Sequence, residues 1–190
     1  MTYDKSLIID FADDIQSSNC DSLVLAIIYS RDRPISKARV QREALIYNQA
    51  YTSNQAHEPY YYGGYSDDVS ESYSILSDIG MVKAGSDGMV LTGFGNALSQ
   101  YMGSNEDYML GFQRVERMES SMGGLSDREL MAITYRLFPE LARKSSMSAA
   151  MDPLIEILDL NGKPLKDWGP EEFLDCVREG RTLSSGRLTG

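Results

Sequence analysis

Residues 66–92 read SDDVSESYSILSDIGMVKAGSDGMVLT, and this stretch decides the predicted fold. Ser66 is a favoured helix N-cap, and the acidic pair Asp67-Asp68 suits the positive end of a helix dipole. Four apolar residues at helical spacing form the inward stripe of that helix: Val69, Tyr73, Leu76 and Ile79. Gly80 ends the helix. Two short apolar runs then flank the turn sequence at 85–88, which indicates a β-hairpin.

The residues before this stretch predict two more helices and one extended segment. Leu23 to Ile28 is apolar on nearly every side, so we expect a core helix there. Arg33-Pro34 stops it, because the residue before a proline avoids the α region. The short extended segment Pro34-Ile35-Ser36 precedes a helix with an apolar stripe of Val40, Ala44, Tyr47 and Tyr51. The order of elements is therefore that of a winged helix-turn-helix domain.

Helices are also predicted on both sides of this domain. An amphipathic helix is expected over 5–17, and a capping box at Ser126 to Glu129 and a first-turn Pro153 indicate helix starts in the second half. The predicted fold class is mainly α with a small β-hairpin wing. We expect a winged-helix domain with its N-terminal helix at 1–105, a helical C-terminal region packed on it at 106–180, and a flexible tail at 181–190.

The stretch from Leu23 to Gly95 resembles the YwgA-like group of winged-helix proteins, which is distantly similar to the Panacea antitoxin-type domain. The resemblance is carried by residues in all parts of the stretch, namely Pro34-Ile35, Arg39, Gln41, Tyr62 to Val69, Leu76, Gly80, Leu91-Thr92 and Gly95. Gly64 stands where the family pattern Gly-Pro-Tyr-Ser has proline. Leu125 to Ser145, with Tyr135 and Pro139-Glu140, is similar to the region after the winged domain in that group. The resemblance implies a winged-helix fold with a regulatory or interaction role and no active site.

Composition places the chain among globular proteins with an acidic surface. It has 190 residues, 42% of them hydrophobic, and a net charge of −10. Residues 1–105 carry 7 basic and 13 acidic groups, and residues 106–190 carry 11 and 15, so neither half is basic. No apolar run is long enough for a membrane span, and the acidic start does not suit a secretory signal. We expect a soluble cytoplasmic protein whose two cysteines are reduced thiols.

No residue pattern indicates catalysis or a cofactor. The only histidine, His57, lies in a polar loop and is expected to be solvated, and a metal site needs three or four converging ligands. Adjacent acids such as Asp13-Asp14 point to different faces of any regular element. Gly93-Phe94-Gly95 lacks the third glycine of a dinucleotide loop. We therefore expect neither an enzyme nor a metal, cofactor or small-molecule substrate.

DNA binding has one favourable and one unfavourable sequence feature. The helix starting at Ser66 would be the one to enter the major groove, yet it carries four acids and no basic residue. The segment 31–43 has a local net charge of +3 and could grip a phosphate backbone. Its basic residues are Arg31, Arg33, Lys37, Arg39 and Arg42. They could equally pair with the acidic helix or receive an acidic partner, so a transcription regulator is the alternative function.

A protein partner is the preferred prediction. Four tyrosines fall within six residues, namely Tyr60, Tyr61, Tyr62 and Tyr65, close in sequence to Tyr47 and Tyr51. Tyrosine offers a large contact area with a polar end, as interface hot spots do, although half of these rings could equally form core. We predict a regulatory interaction module, with a homodimer as one form, that binds protein through this cluster and Asp67, Asp68 and Glu71.

Overall fold

A computed structural model describes residues 3–31, 33–52, 57–122 and 124–183, and within them the chain is mainly helical. The described helices are α1 (Lys5–Ser17), α2 (Asn19–Tyr29), α3 (Lys37–Tyr51), α4 (Asp67–Asp78), α5 (Gly93–Ser104), α6 (Met109–Met122), α7 (Asp127–Leu137), α8 (Pro139–Ala142), α9 (Ser148–Ile157) and α10 (Pro170–Glu179). Three two-stranded antiparallel sheets accompany them, β1–β2 (Glu58–Tyr60, Gly63–Tyr65), β3–β4 (Val82–Gly85, Gly88–Leu91) and β5–β6 (Asp159–Leu160, Lys163–Pro164). The prediction of a mainly α-helical fold with a small hairpin is confirmed.

The chain forms two compact units, each built from two stretches of sequence. The first unit comprises Met1–Ala44 and Asp67–Glu116, and the second comprises Leu45–Ser66 and Arg117–Gly190. The predicted domain boundaries, 1–105 and 106–180, stay a prediction. Of the predicted tail, 184–190 lies outside the described residues, whereas Leu183 is buried and its amide donates to the carbonyl of Ser121 at 3.2 Å.

The core of the first unit surrounds α2, as its apolar sequence predicts. Leu23 to Ile28 are all buried, and α2 packs against α1, α4 and α5. Ser18 caps α2 by accepting from the amide of Asp21 at 3.2 Å. A helix that is buried on nearly all sides contributes its full apolar area to stability, which makes α2 the structural centre of this unit.

A third segment of the chain pairs with the β3–β4 hairpin at Ile35, which was predicted to be extended. Ile35 and Met89 form an antiparallel bridge, with amide-to-carbonyl distances of 3.0 Å and 2.8 Å. The neighbouring Gly88 has φ +140°, and a Cβ there would lie 2.6 Å from the carbonyl oxygen of Ile35. Glycine is therefore required at this position by both the backbone angle and the close approach of the chain.

The junction between the hairpin and α5 depends on Thr92 and Gly95. The Thr92 hydroxyl accepts from the amide of Gly95 at 3.0 Å and donates to the carbonyl of Gly80 at 2.7 Å. A Cβ on Gly95 would lie only 2.0 Å from the carbonyl oxygen of Met81. Two of the positions that carry the resemblance thus have structural roles, because Thr92 caps α5 and Gly95 lets the helix lie directly against the backbone of Met81.

The helices α7, α9 and α10 each contribute buried apolar residues to the second unit. The predicted capping box of α7 is present, with the Ser126 amide donating to Glu129 at 2.7 Å and the Glu129 amide donating to Ser126 at 3.2 Å. α10 ends at Gly180, which adopts the left-handed conformation. Apolar side chains buried in this unit include Leu130, Ile133, Leu160, Leu165, Phe173 and Val177.

Two local predictions are wrong in their details. Pro153 was expected in the first turn of its helix, but α9 begins at Ser148, where Met147 supplies no side-chain cap, and Pro153 lies inside the helix. Ile79 was expected to face inward, but it lies beyond the end of α4 and is 38% exposed.

In the part of the chain that the structure describes, no helix combines the length and apolarity that a membrane crossing requires.

Candidate functional site

The four predicted tyrosines lie on a β-hairpin that was not predicted from the sequence. β1 and β2 pair antiparallel, with Glu58 opposite Tyr65 and Tyr60 opposite Gly63, and Tyr61-Tyr62 form the turn. We call residues 58–65 the tyrosine hairpin. The tyrosine side chains at its tip are the most exposed, at 65% for Tyr61 and 64% for Tyr62, and Tyr60 is 47% exposed.

The turn of the tyrosine hairpin is fixed by a hydrogen-bond network from the helical part of the second unit. The Ser145 hydroxyl donates to the carbonyl of Tyr61 at 2.9 Å and lies 2.6 Å from the hydroxyl of Tyr135. It also accepts from the amide of Met147 at 3.1 Å. Gly63, at φ +106°, lies so close to the Tyr135 ring that a Cβ would be 2.8 Å from it. The backbone that carries the exposed rings is therefore fixed by its contacts with Ser145 and Tyr135.

The rings of the tyrosine hairpin also order one another. Tyr65 is half-buried and stacks on Tyr60 with ring centroids 4.9 Å apart, and Tyr61 meets Tyr60 edge-on at 5.2 Å. Offset and edge-on pairs are the favoured aromatic geometries. By contrast, Tyr47 is buried, and Tyr51 donates to the carbonyl of Val177 at 3.3 Å. Both possibilities for the tyrosines thus apply, because Tyr47 and Tyr51 support the unit while Tyr60 to Tyr62 face solvent.

The acidic residues of α4 lie on its exposed side, in the first unit. Asp67, Asp68 and Glu71 are exposed, as is Asp78 in the last turn. The opposite side of α4 carries Val69, Tyr73 and Leu76 and is buried. Each of the three predicted acidic contact residues is therefore exposed to solvent, and the four carboxylates form a negatively charged surface.

The basic segment divides into buried and exposed residues. Glu43 is fully buried and accepts from Arg31 and from Arg39, the latter at 2.6 Å. Arg39 and Arg42 are 3% and 5% exposed. Of the five predicted phosphate contacts, only Arg33 and Lys37 are exposed, and Lys37 lies 5.6 Å above the Tyr73 ring. The sequence did not indicate Glu43 as the acid that organises this segment.

The prediction that His57 is solvated is wrong. His57 is 6% exposed and immediately precedes β1, which packs against α8. Cys20 and Cys176 are free thiols, and burial raises the pKa of each. Among the described residues, no group of three or more histidine, cysteine or acidic side chains is arranged to hold a metal ion.

The missed hairpin had one sequence signal, Gly63-Gly64 directly after three tyrosines, because paired glycines suit tight turns and bulges. Gly64 is also closely packed between two leucines, since a Cβ there would lie 3.2 Å from both Leu45 and Leu141.

Comparisons of the chain with protein-family models, with curated proteins and with solved structures each find no match.

Proposed function

We propose that the first unit is a winged-helix domain, as the resemblance to the YwgA-like group implies. Its elements follow the order α2, Ile35, residues 37–44 of α3, α4, β3 and β4, which is the order of that fold. The bridge between Ile35 and Met89 supports the proposal, because it adds the short first strand to the β3–β4 wing. One feature departs from a simple helix-turn-helix, since the tyrosine hairpin lies in sequence between α3 and α4.

The proposed function is binding of another protein in a regulatory interaction, without catalysis. The observation that carries it is the set of three exposed tyrosines on a hairpin whose turn is fixed by Ser145. Aromatic side chains on a rigid backbone lose little conformational entropy on binding, and tyrosine is enriched among interface hot spots. A partner that covers these rings gains apolar contact while their hydroxyls keep hydrogen bonds.

The alternative, a transcription regulator that grips DNA through Arg31 to Arg42, has less support. Arg39 and Arg42 are buried, and Arg31 is directed to Glu43. Phosphate binding requires cations that can reach the duplex, and each one withdrawn lowers the electrostatic affinity. The exposed acids of α4 add repulsion, because they would stand within a Debye length of the phosphates, about 8–10 Å. A protein partner is therefore favoured.

The test replaces the two rings at the tip. We expect the double variant Tyr61→Ser with Tyr62→Ser to lose at least about 30-fold in affinity for a partner captured by the wild-type chain, because hot-spot truncations cost about 2 kcal/mol or more. Affinity is measured by calorimetry with the purified partner, or by sedimentation when the partner is a second copy. Thermal unfolding of the variant is expected to match the wild type, since both rings are exposed.

The matched control is Tyr29→Ser, a change at a tyrosine of the first unit that is 37% exposed. This variant is expected to bind as the wild type does once it is shown to be folded. Equal affinity of the double variant and the wild type would contradict the proposed use of the tyrosine hairpin. Tight duplex-DNA binding by the wild type would favour the alternative.

A further inference from the structure

The exposed side of α4 combines charge with apolar surface in one stripe. Asp67, Glu71 and Asp78 lie along it, together with Asp68, and Ile75 is 38% exposed among them. Ile79 is also 38% exposed and continues the helical turn, because its amide donates to the carbonyl of Ile75 at 3.0 Å. At 100° per residue, these six side chains fall within about 120° of the helix circumference. They form what we call the α4 face.

The carboxylates of the α4 face are not neutralised within the described part of the chain. None of the four forms an ion pair there. The sequence of the first unit holds 15 acidic and 8 basic residues, a net charge of −7, and two of its arginines are buried. The field around the α4 face therefore attracts a cation and repels a polyanion.

A second observation concerns Asp21, at the start of the helix that packs against α4. Its side chain is buried, with the residue 7% exposed, and its Oδ1 atom has no hydrogen-bond partner in the described structure. Burial raises the pKa of the adjacent Cys20 thiol, a hydrogen bond with Ser72 of α4 lowers it, and the charges of Asp21 and Asp68 raise it further. Both carboxylates thus act on one sulfur atom, and a buried carboxylate oxygen without a hydrogen bond is costly unless a cation or another donor pairs with it.

We propose that the α4 face binds a basic amphipathic helix of a protein partner, with apolar side chains on Ile75 and Ile79 and arginine or lysine toward Asp21, Asp68 and Glu71. The inference deepens the proposed function and rests on its protein-binding role. Asp67 and Asp78 are about 16 Å apart along the helix, which is too far for one metal ion but suits cations spaced along a second helix. A second copy of this chain presents the same sign of charge, so it is not the proposed occupant.

The test uses the full chain and two synthetic peptides of identical composition. One is helical with two leucines four residues apart between arginines, and in its isomer the leucines lie on opposite faces. Fluorescence anisotropy measures both affinities at low and at physiological salt. We expect the amphipathic peptide to bind about tenfold more tightly than the isomer, because only it can bury both leucines on Ile75 and Ile79.

Variants separate the apolar and the charged contributions. Ile75→Ser is expected to remove most of the preference for the amphipathic peptide, whereas Leu110→Ser, at a more exposed leucine of the same unit, keeps it. The double variant Asp68→Asn with Glu71→Gln is expected to lower the affinity for both peptides about tenfold. The matched pair Asp10→Asn with Asp14→Asn on α1 should change these affinities less than about twofold. Asp21→Asn is expected to weaken binding more than Asp14→Asn alone.

Three results would overturn the inference, namely equal affinity for the two peptides, equal effects of Ile75→Ser and Leu110→Ser, or equal effects of the two double acid variants. An effect of Asp21→Asn no greater than that of Asp14→Asn would remove Asp21 from the site. These failures are distinct from failure of the proposed function, which would appear as saturable duplex-DNA binding or as an intact partner complex after the tyrosine substitutions.

Discussion

At the scale of single residues, Glu43 decides what the basic segment can do. Its carboxylate accepts from Arg31 and Arg39, and all three side chains are shielded from solvent. A buried network of this kind is costly to break, because removing one partner leaves the other charges buried without compensation. The sequence predicts five cations in this segment, but only the tertiary structure shows which of them are used internally.

Glu43→Gln is expected to lower the free energy of unfolding by about 3–5 kcal/mol, because two buried guanidinium groups lose the carboxylate charge that compensates them. Urea denaturation followed by circular dichroism measures the change. Glu71→Gln is the matched control, since Glu71 is exposed, and its effect should stay within about 0.5 kcal/mol. Similar stability for the two variants would show that the arginines are available for other contacts.

Tyr108 gives the chain a specific alkaline pH dependence. Its hydroxyl donates to Asp13 at 2.5 Å, and this hydrogen bond, with burial and the Asp13 charge, raises its pKa to about 12. The unfolded chain releases that proton near the ordinary tyrosine pKa of 10.0. The contribution to stability is therefore complete below pH 10 and is lost as the pH rises toward about 12.

Tyr108→Phe is expected to be less stable than the wild type at neutral pH, and the difference should shrink between pH 10 and about pH 12. Chemical denaturation at a series of pH values measures both profiles. Asp13→Ala, which removes the acceptor, should reduce the same pH-dependent component. A constant difference between Tyr108→Phe and the wild type across this range would show that the hydrogen bond does not perturb the phenol.

At the scale of elements, the local signals in the sequence predicted most of the helices. Caps such as Ser18 and Ser126, the stop at Gly80 and the apolar run of α2 act within a few residues, so they are visible without a fold. The tyrosine hairpin was missed because its strands are three residues long and its turn is held by Ser145 and Tyr135 from distant sequence. His57, which directly precedes β1, is buried as well.

Two glycines of α5 provide a matched pair for the packing of that helix. Gly95→Ala is expected to destabilise the protein by about 1–3 kcal/mol or more, because the Cβ would lie 2.0 Å from the carbonyl oxygen of Met81. Gly103→Ala adds a Cβ at 3.5 Å from Phe112, an ordinary contact, and should stabilise the helix by about 0.5–1 kcal/mol. Thermal and urea unfolding measure both changes, and a stabilising Gly95→Ala would contradict the close approach.

At the scale of the whole molecule, charge composition limits the possible partners more than the fold does. The net charge of −10 is visible in the sequence, and it opposes a polyanion wherever exposed cations are few. The sequence could also place the acids of α4 correctly on its exposed side, because helical periodicity fixes that side. It could not show that Asp21 is buried beside α4, since that depends on how two helices pack.

The choice between a protein partner and DNA is tested most directly by fluorescence anisotropy of a labelled DNA duplex titrated with the full chain at low salt, where electrostatic binding is strongest. We expect no saturable binding, because the exposed side of α4 is acidic and Arg39 and Arg42 are buried. Saturable binding that is lost in the double variant Arg33→Glu with Lys37→Glu, at the two exposed cations of the segment, would contradict the account.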